Sequence, residues 1–221
     1  MRIRRKKWAR PELDSCGFYV KNPIDNIGKW SKCFEREQPL HLELGCGKGV
    51  FTAEIAANTP QINYVAIDIN SDVLGVAKRN IEKEYHNLSK PIDNILLTIH
   101  NIERIPLIFN YEDKVDRIYI NFCNPWPKPK HKKRRLTYPK QLENYKKFLI
   151  KNGEIYFKTD DDGLFKDSIK YFEDSGFIID RLTYDLLNEE YSDLESNIKT
   201  EHENKFIEQG VNIKFLTARK I

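Results

Sequence analysis

Asn124-Pro125-Trp126-Pro127 puts an amide, two prolines and a flat indole into four residues. Proline fixes its own φ and restricts the residue before it, so such a segment is a stiff corner. A rigid polar-Pro-aromatic corner can hold a planar base by stacking and by hydrogen bonds to its edge. The ordinary alternative is a loop whose tryptophan plugs the core. KPKHKKRR (128–135) follows directly, with six basic groups, His131 and no acid. A second block, MRIRRKKWAR (1–10), carries six more. These 18 residues hold 12 of the 37 cations of the 221-residue chain, and the other 25 face 33 carboxylates. A solvated face is the usual meaning of a charge run, but each block repels itself unless anions neutralise it. Phosphates are the obvious anions. A membrane surface is the rival partner. It favours an amphipathic helix, which a run broken by Pro129 and followed by Pro139 is not.

A second cluster lies earlier. Gly45-Cys46-Gly47-Lys48-Gly49 ends the apolar run LHLEL, and Asp68 follows Gly45 by 23 positions. Glycines let a backbone turn tightly and approach a ligand closely. The spacing is neither the G-x-G-x-x-G dinucleotide fingerprint nor a phosphate-binding loop. An acid about 20 residues after such a turn suits ribose hydroxyls. Taken alone, a Gly-rich turn is often only a tight connection; here it coincides with Glu43 and Asp68. Glu43 sits inside the apolar run, where an unpaired carboxylate costs several kcal/mol. A cationic ligand would offset that cost. S-adenosylmethionine carries an ammonium and a sulfonium, whereas the pyrophosphate of a nicotinamide dinucleotide would be repelled. The cluster therefore predicts an S-adenosylmethionine site with Glu43, Gly45, Gly47 and Asp68, and with Asn101 available to the adenine edge. Lys48 could equally face solvent.

These residues need a scaffold that brings strand ends together. Apolar runs at 40–44, 62–69, 94–101, 115–122, 154–160, 177–186 and 211–220 read as seven strands. Helical spacing appears at 50–60, 71–85 (with Ser71 as N-cap), 139–153, 164–176 and 200–210. Alternating β and α with continuous apolar strands predicts an α/β fold, a doubly wound, mostly parallel sheet with helices on both faces. The last strand is expected to insert antiparallel. In such sheets ligands lie outside the carboxyl ends of the strands, which is where Gly45, Asp68, Asn101, Asn124 and Asp160 fall. Residues 1–39 read as a basic N-terminal arm and lead-in that orders on RNA, and 40–221 as the domain. Asp161 and Asp162 suit helix capping, Lys158 the flank of its strand, and Thr200 with Glu203 a capping box.

Composition narrows the class. No apolar run approaches a membrane span or a signal-peptide core. Four scattered cysteines show no zinc spacing, so a metal site and a disulfide scaffold are both disfavoured, and the cytoplasm is the expected compartment.

LELGCGKG, NFCNPWPKPKHKKRRLTYP, FKTD and TEHENKF resemble the motifs of the bacterial tRNA (guanine-N7)-methyltransferase family, collinear from about residue 40 to 220. Pro-Trp-Pro-Lys followed by His-x-Lys-Arg-Arg-Leu-Thr (131–137) is the most selective part. The resemblance implies a class I, Rossmann-like methyltransferase that uses S-adenosylmethionine to modify guanosine 46 in the tRNA variable loop. It also implies roles: Glu43, Asp68, Asn101 and Asn124 around the donor; Lys128, Asp160, Thr200 and Glu203 at the tRNA substrate; Lys130, His131, Lys132, Lys133, Arg134 and Arg135 on RNA.

One residue departs from the pattern. The family usually has Asp where this chain has Asn124, at the position treated as catalytic. Guanine N7 is unprotonated at neutral pH and offers an in-plane lone pair, so its methylation needs no general base. Charge migrates from sulfonium to base, and none is created. Catalysis is then positioning and electrostatics, and Asn124 is expected to sustain it. Two other readings stay open: an amino-methyltransferase acting on adenine or cytosine of RNA, and a non-catalytic RNA-binding module on a degenerate scaffold. An NAD-dependent enzyme is disfavoured by Glu43 and the glycine spacing. Monomer and homodimer are equally compatible with the sequence.

Overall fold

The computed structural model describes residues 5–189, Ile198 and residues 201–221. Two compact units divide the chain, Met1–Asp113 and Lys114–Ile221.

The first unit is a parallel four-stranded sheet, β1 (Tyr19–Val20), β2 (Leu40–Leu44), β3 (Asn63–Asp68) and β4 (Ile95–Ile99), in the order β1-β4-β3-β2. All five β2 side chains are buried, which accounts for a run without alternation. Leu44 pairs with Ile67 and Asp68 with Ile99. The carboxyl ends of the three strands are therefore nearly flush, and the segments after them leave along one edge. The two-residue β1 is too short to read from hydropathy and adds an eighth strand to the seven expected.

Helices α1 (Ala9–Asp14), α2 (Val50–Asn58) and α3 (Ser71–Asn87) complete this unit. Asn70, not Ser71, caps α3, its side chain accepting the Asp72 N–H at 2.9 Å. Part of the lead-in packs on α3, where the Lys6 N–H donates to Asp72 at 2.9 Å. Ala9 and Leu13 are buried, Arg79 stacks 3.6 Å over Trp8, and Arg79 also pairs with Glu12. Trp30 is fully buried on Phe109, and Asp113 accepts the N–H groups of Gly28, Trp30 and Asn110.

The second unit orders its strands β5-β6-β8-β7, comprising β5 (Val115–Asn121), β6 (Leu149–Thr159), β7 (Phe177–Thr183) and β8 (Lys214–Lys220). β5 and β6 are parallel, and β8 runs antiparallel to both β6 and β7, as expected of the last strand. Helices α4 (Pro139–Lys146), α5 (Asp162–Asp174) and α6 (Glu201–Glu208) belong to this unit. α4 is shorter and β6 longer than the spacing predicts. Phe148 and Leu149 are buried, and a side chain on Gly153 would come within 3.0 Å of both Leu149 and the Asp116 carbonyl oxygen, so the glycine there allows a close approach within β6 instead of ending a helix.

Candidate functional site

In the first unit the turn after β2 is fastened to β3. The N–H groups of Gly45 and Cys46 donate to the Ile67 carbonyl at 2.8 and 3.0 Å, and the Gly47 N–H donates to Asp68 Oδ2 at 2.9 Å. Gly45, Gly47 and Gly49 have φ of +82°, +55° and +65°, a region costly to residues with a Cβ. Gly49 is needed for packing too, since a Cβ there would lie 2.7 Å from that of Ala77. Around Gly47 nothing lies within 4 Å of such an atom, so its backbone is open to a ligand.

Asp68 Oδ1 accepts the Asn70 N–H at 2.8 Å. Burial raises the pKa of this carboxyl, against the pull of the Asn70, Gly47 and Ile69 N–H groups. A half-buried carboxylate in this state gains from further donors such as hydroxyls. Ile69, next in the chain, is 65% exposed. It sets an apolar face beside the acid, which the sequence reading missed; its signal was an isoleucine directly after a strand-ending aspartate.

Glu43 is 3% exposed in the middle of β2. The hydroxyl of Thr52, fully buried on α2, donates to its Oε2. The demand assigned above wholly to a cationic ligand is thus met in part inside the protein. Asn101 Oδ1 accepts the Glu103 N–H at 3.0 Å and caps the 3-10 helix Ile102–Leu107. Its oxygen has a structural task, which leaves the amide nitrogen to recognise a ligand edge.

In the second unit Asn121 of β5 lies opposite Lys158 of β6, so Asn124 and Asp160 follow the ends of paired parallel strands. Asn124 is exposed, and its Oδ1 accepts the Trp126 N–H at 3.1 Å. This is an Asx turn. It helps hold Trp126 at φ +42°, a strained position worth about 1–3 kcal/mol for a non-glycine residue. The indole is not a bare platform. The Arg134 guanidinium lies 5.1 Å over it, and His131 meets it edge-on at 5.7 Å. The corner and the 3-10 helix Pro129–Arg134 therefore brace each other.

Lys128, Lys130, Lys133 and Arg134 are exposed. His131 and Lys132 are half-buried, and the Lys132 ammonium lies 2.6 Å from Asp167. Arg135 corrects the expectation of an RNA contact. It is 2% exposed, donates to the Pro125 carbonyl at 2.7 Å, and pairs with Asp167 at 2.6 Å. Its guanidinium is consumed in tying the corner to α5. Burial acts upward on the Asp167 carboxyl, but bonding to Lys132 and Arg135 outweighs it and holds the pKa low.

Asp160 is half-buried, with its carbonyl accepting from the Lys214 ammonium at 2.9 Å. Asp161 caps α5 through the Leu164 N–H at 2.6 Å, and Asp162 faces Lys214 at 3.0 Å. Lys158 does not merely flank its strand. It is 2% exposed, with its ammonium 3.5 Å from the carboxylate of Glu203, itself 1% exposed. Glu203, expected at the substrate, is thus held inside the protein, paired with the Lys158 ammonium. Thr200 lies outside the described residues. Glu43, Gly45, Gly47, Asp68 and Asn101 come together in the first unit. Asn124, Lys128, Asp160 and the basic segment belong to the second. Among the described residues no group of His, Cys, Asp and Glu side chains could hold a metal ion, and no helix is long and apolar enough to cross a membrane.

A family model described as "Putative methyltransferase" matches residues 37–216. A tRNA (guanine-N(7)-)-methyltransferase of Clostridium beijerinckii is 58% identical over 100% of this chain and 99% of its own length. Proteins of the same name from Clostridium perfringens and Acetivibrio thermocellus are 54% and 50% identical, each over 100% of both chains. Among solved structures, the 16S rRNA methyltransferase KamB superposes with a TM-score of 0.63 at 12% identity, over 87% of this chain and 92% of that one. An antibiotic-related methyltransferase reaches 0.56 at 16% identity, over 99% and 96%. These likenesses show the class I methyltransferase fold.

Proposed function

The chain belongs to the tRNA (guanine-N(7)-)-methyltransferase family, and from that premise we propose that it transfers the methyl group of S-adenosylmethionine to N7 of guanosine 46 in the tRNA variable loop. The observation that carries this reading is an identity of 50% or more in matches that cover the whole chain. We assign the reaction to the cytoplasm.

Two features of the first unit fit the donor: the open backbone at Gly47, and a half-buried Asp68 carboxyl whose charged form gains from hydroxyl donors. When bound, the donor supplies a methyl group on a sulfonium cation. Asp68 accepts from the ribose hydroxyls, and the Gly45–Gly49 turn brings main chain close to the ligand. Glu43 sets a negative charge toward the ammonium side. Asn101 reads the adenine edge through its amide nitrogen, and Ile69 covers the adenine face.

In the second unit no group has to remove a proton, because N7 carries none. Asn124 holds the corner and turns its amide toward the guanine edge. Asp160 supplies a nearby negative charge to the base as it becomes cationic. Lys128 binds the phosphate next to the target, while Lys130, His131, Lys133 and Arg134 grip the backbone further on, where contacts carry affinity but no base identity. Lys132 contributes less, being already paired with Asp167.

The test is nucleoside analysis of unmodified tRNA after incubation with protein and S-adenosylmethionine. One N7-methylguanosine at position 46 is expected. A methylated exocyclic amine would point to an amino-methyltransferase instead. RNA binding without methyl transfer would point to a non-catalytic module.

A further inference from the structure

We infer that Lys158 is a positioning residue for the guanosine side of the reaction, docking α6 onto the ends of β5 and β6, and that Glu203 acts through this clamp rather than by touching the nucleotide. The inference rests on the methyltransferase reading above.

Lysine and glutamate are almost never fully buried unless paired. Here both are, at 2% and 1% exposure. The Lys158 ammonium donates to the Ile198 carbonyl at 3.2 Å and faces Glu203 Oε2 at 3.5 Å. One cation thus holds two points on either side of the start of α6. The lysine is itself fixed. Its carbonyl accepts the Phe122 N–H at 2.9 Å, and in the sheet it stands between Asn121 and Phe215. A second fastening lies alongside, where Phe206 of α6 stacks on Phe122 with ring centroids 5.9 Å apart. Phe122 stands two residues before Asn124, and Lys158 two before Asp160. Both fastenings of α6 thus fall at the roots of the residues assigned to the guanosine.

An apolar pair would bury the helix at least as well, since a desolvated ion pair adds little net stability. What the ammonium adds is direction: it sets where the Ile198 carbonyl and the Glu203 carboxylate must lie. The clamp should therefore show in substrate binding.

The experiment compares tRNA methylation kinetics, donor affinity by calorimetry and thermal midpoint for the natural chain, Lys158→Met, Glu203→Gln and Lys158→Met/Glu203→Met. Failure of the natural chain to make N7-methylguanosine would sink the underlying reading before any variant is compared. Given that activity, Lys158→Met should raise KM for tRNA about tenfold or more, with kcat and donor Kd within about twofold. Glu203→Gln keeps an acceptor for the ammonium and should stay within about threefold of the natural KM. The double variant should lose no more than Lys158→Met alone, as for two parts of one device. The inference is overturned if Glu203→Gln melts like the natural chain yet raises KM as far as Lys158→Met does, since the carboxylate then meets the guanosine itself. Losses that multiply in the double variant, or a folded Lys158→Met with unchanged KM, overturn it too. Should Lys158→Met fail to fold, the Glu203→Gln result decides alone.

Discussion

The Gly47 N–H meets Asp68 Oδ2 at 2.9 Å, so the acid assigned to a ribose also shapes the glycine turn that the ligand approaches. Its other oxygen holds Asn70, the cap of α3. One carboxylate thus joins the end of β2, the end of β3 and the start of α3.

Asp68→Asn keeps the size and breaks this junction. An amide has one accepting oxygen, so its NH2 faces the N–H of either Gly47 or Asn70. The loss is expected to be about 1–3 kcal/mol of stability. Donor binding should weaken at least about tenfold, because a hydroxyl acceptor is lost as well. Calorimetric unfolding and titration with S-adenosylmethionine read the two effects. Unchanged donor affinity would remove Asp68 from the site.

Burial raises the Asp68 pKa above its ordinary value. A carboxyl whose folded pKa is raised contributes stability that is present below its unfolded pKa and lost as pH rises through the folded one. Hydroxyl donors favour the charged form, so bound donor should recover part of this loss. Donor affinity should therefore rise with pH through the Asp68 titration and then level off. Calorimetric Kd values from the ordinary carboxylate range up to neutral pH check it, with Asp68→Asn as the control whose profile should be flat over the same window.

The frame of this site was legible in the sequence. LHLEL and INYVAIDI are apolar runs with one meaning, and the glycines and Asp68 mark where they end. Asn101, Asn124 and Asp160 were also placed at strand ends by pattern alone. What pattern does not carry is the partner of a charge. Lys158 and Arg135 look like any other basic residue in the chain. Their burial depends on Glu203 and Asp167, which are 45 and 32 positions away. The face of Trp126 likewise looked vacant, because nothing local says that Arg134 folds back over it.

The basic segment should therefore split in two. Replacing Lys130 and Lys133 by Ala should flatten the dependence of log K on log salt for tRNA by about one unit for each phosphate no longer neutralised, with the thermal midpoint nearly unchanged. Arg135→Ala should instead cost about 1–3 kcal/mol of stability, because it strips the Pro125 carbonyl of its donor and leaves Asp167 with Lys132 alone. Binding isotherms at several salt concentrations, with melting curves beside them, separate the two. A stable Arg135→Ala protein with a flattened salt slope would return that residue to the RNA.

Asn124 accepts the Trp126 N–H through one oxygen, a task that aspartate performs equally well. Asn124→Asp should keep the corner, and turnover should change by less than about tenfold, since the positive charge only moves from sulfonium to base and Asp160 already sets a carboxylate beside the guanine. Asn124→Ala removes both the turn and the amide, and a loss of about a hundredfold in kcat is expected. Single-turnover methylation of tRNA measures each. A rise of several orders of magnitude in Asn124→Asp would mean the natural chain is nearly inert for want of the acid.

Gly75 sits inside α3, where a glycine normally weakens the helix. A Cβ at that position would come 2.6 Å from the Cβ of Ala9 and 2.9 Å from its Cα, so the glycine is there to let α1 lie close against α3. Helix propensity alone predicts that Gly75→Ala stabilises, by about 1 kcal/mol. The close approach predicts the opposite, because overpacking a tight interface costs about 1–3 kcal/mol unless one element moves away. The element able to move is α1, which is only six residues long and carries the exposed Arg10. Gly75→Ala should therefore lower the midpoint of unfolding and make the bonds around residues 5–15 cleavable by trypsin under conditions in which the natural chain resists. Because α1 also brings Trp8 under Arg79, the intrinsic tryptophan emission should shift to the red as that ring enters water. A variant that melts higher, with unchanged emission and the same resistance to trypsin, would show that α1 is not held by this packing.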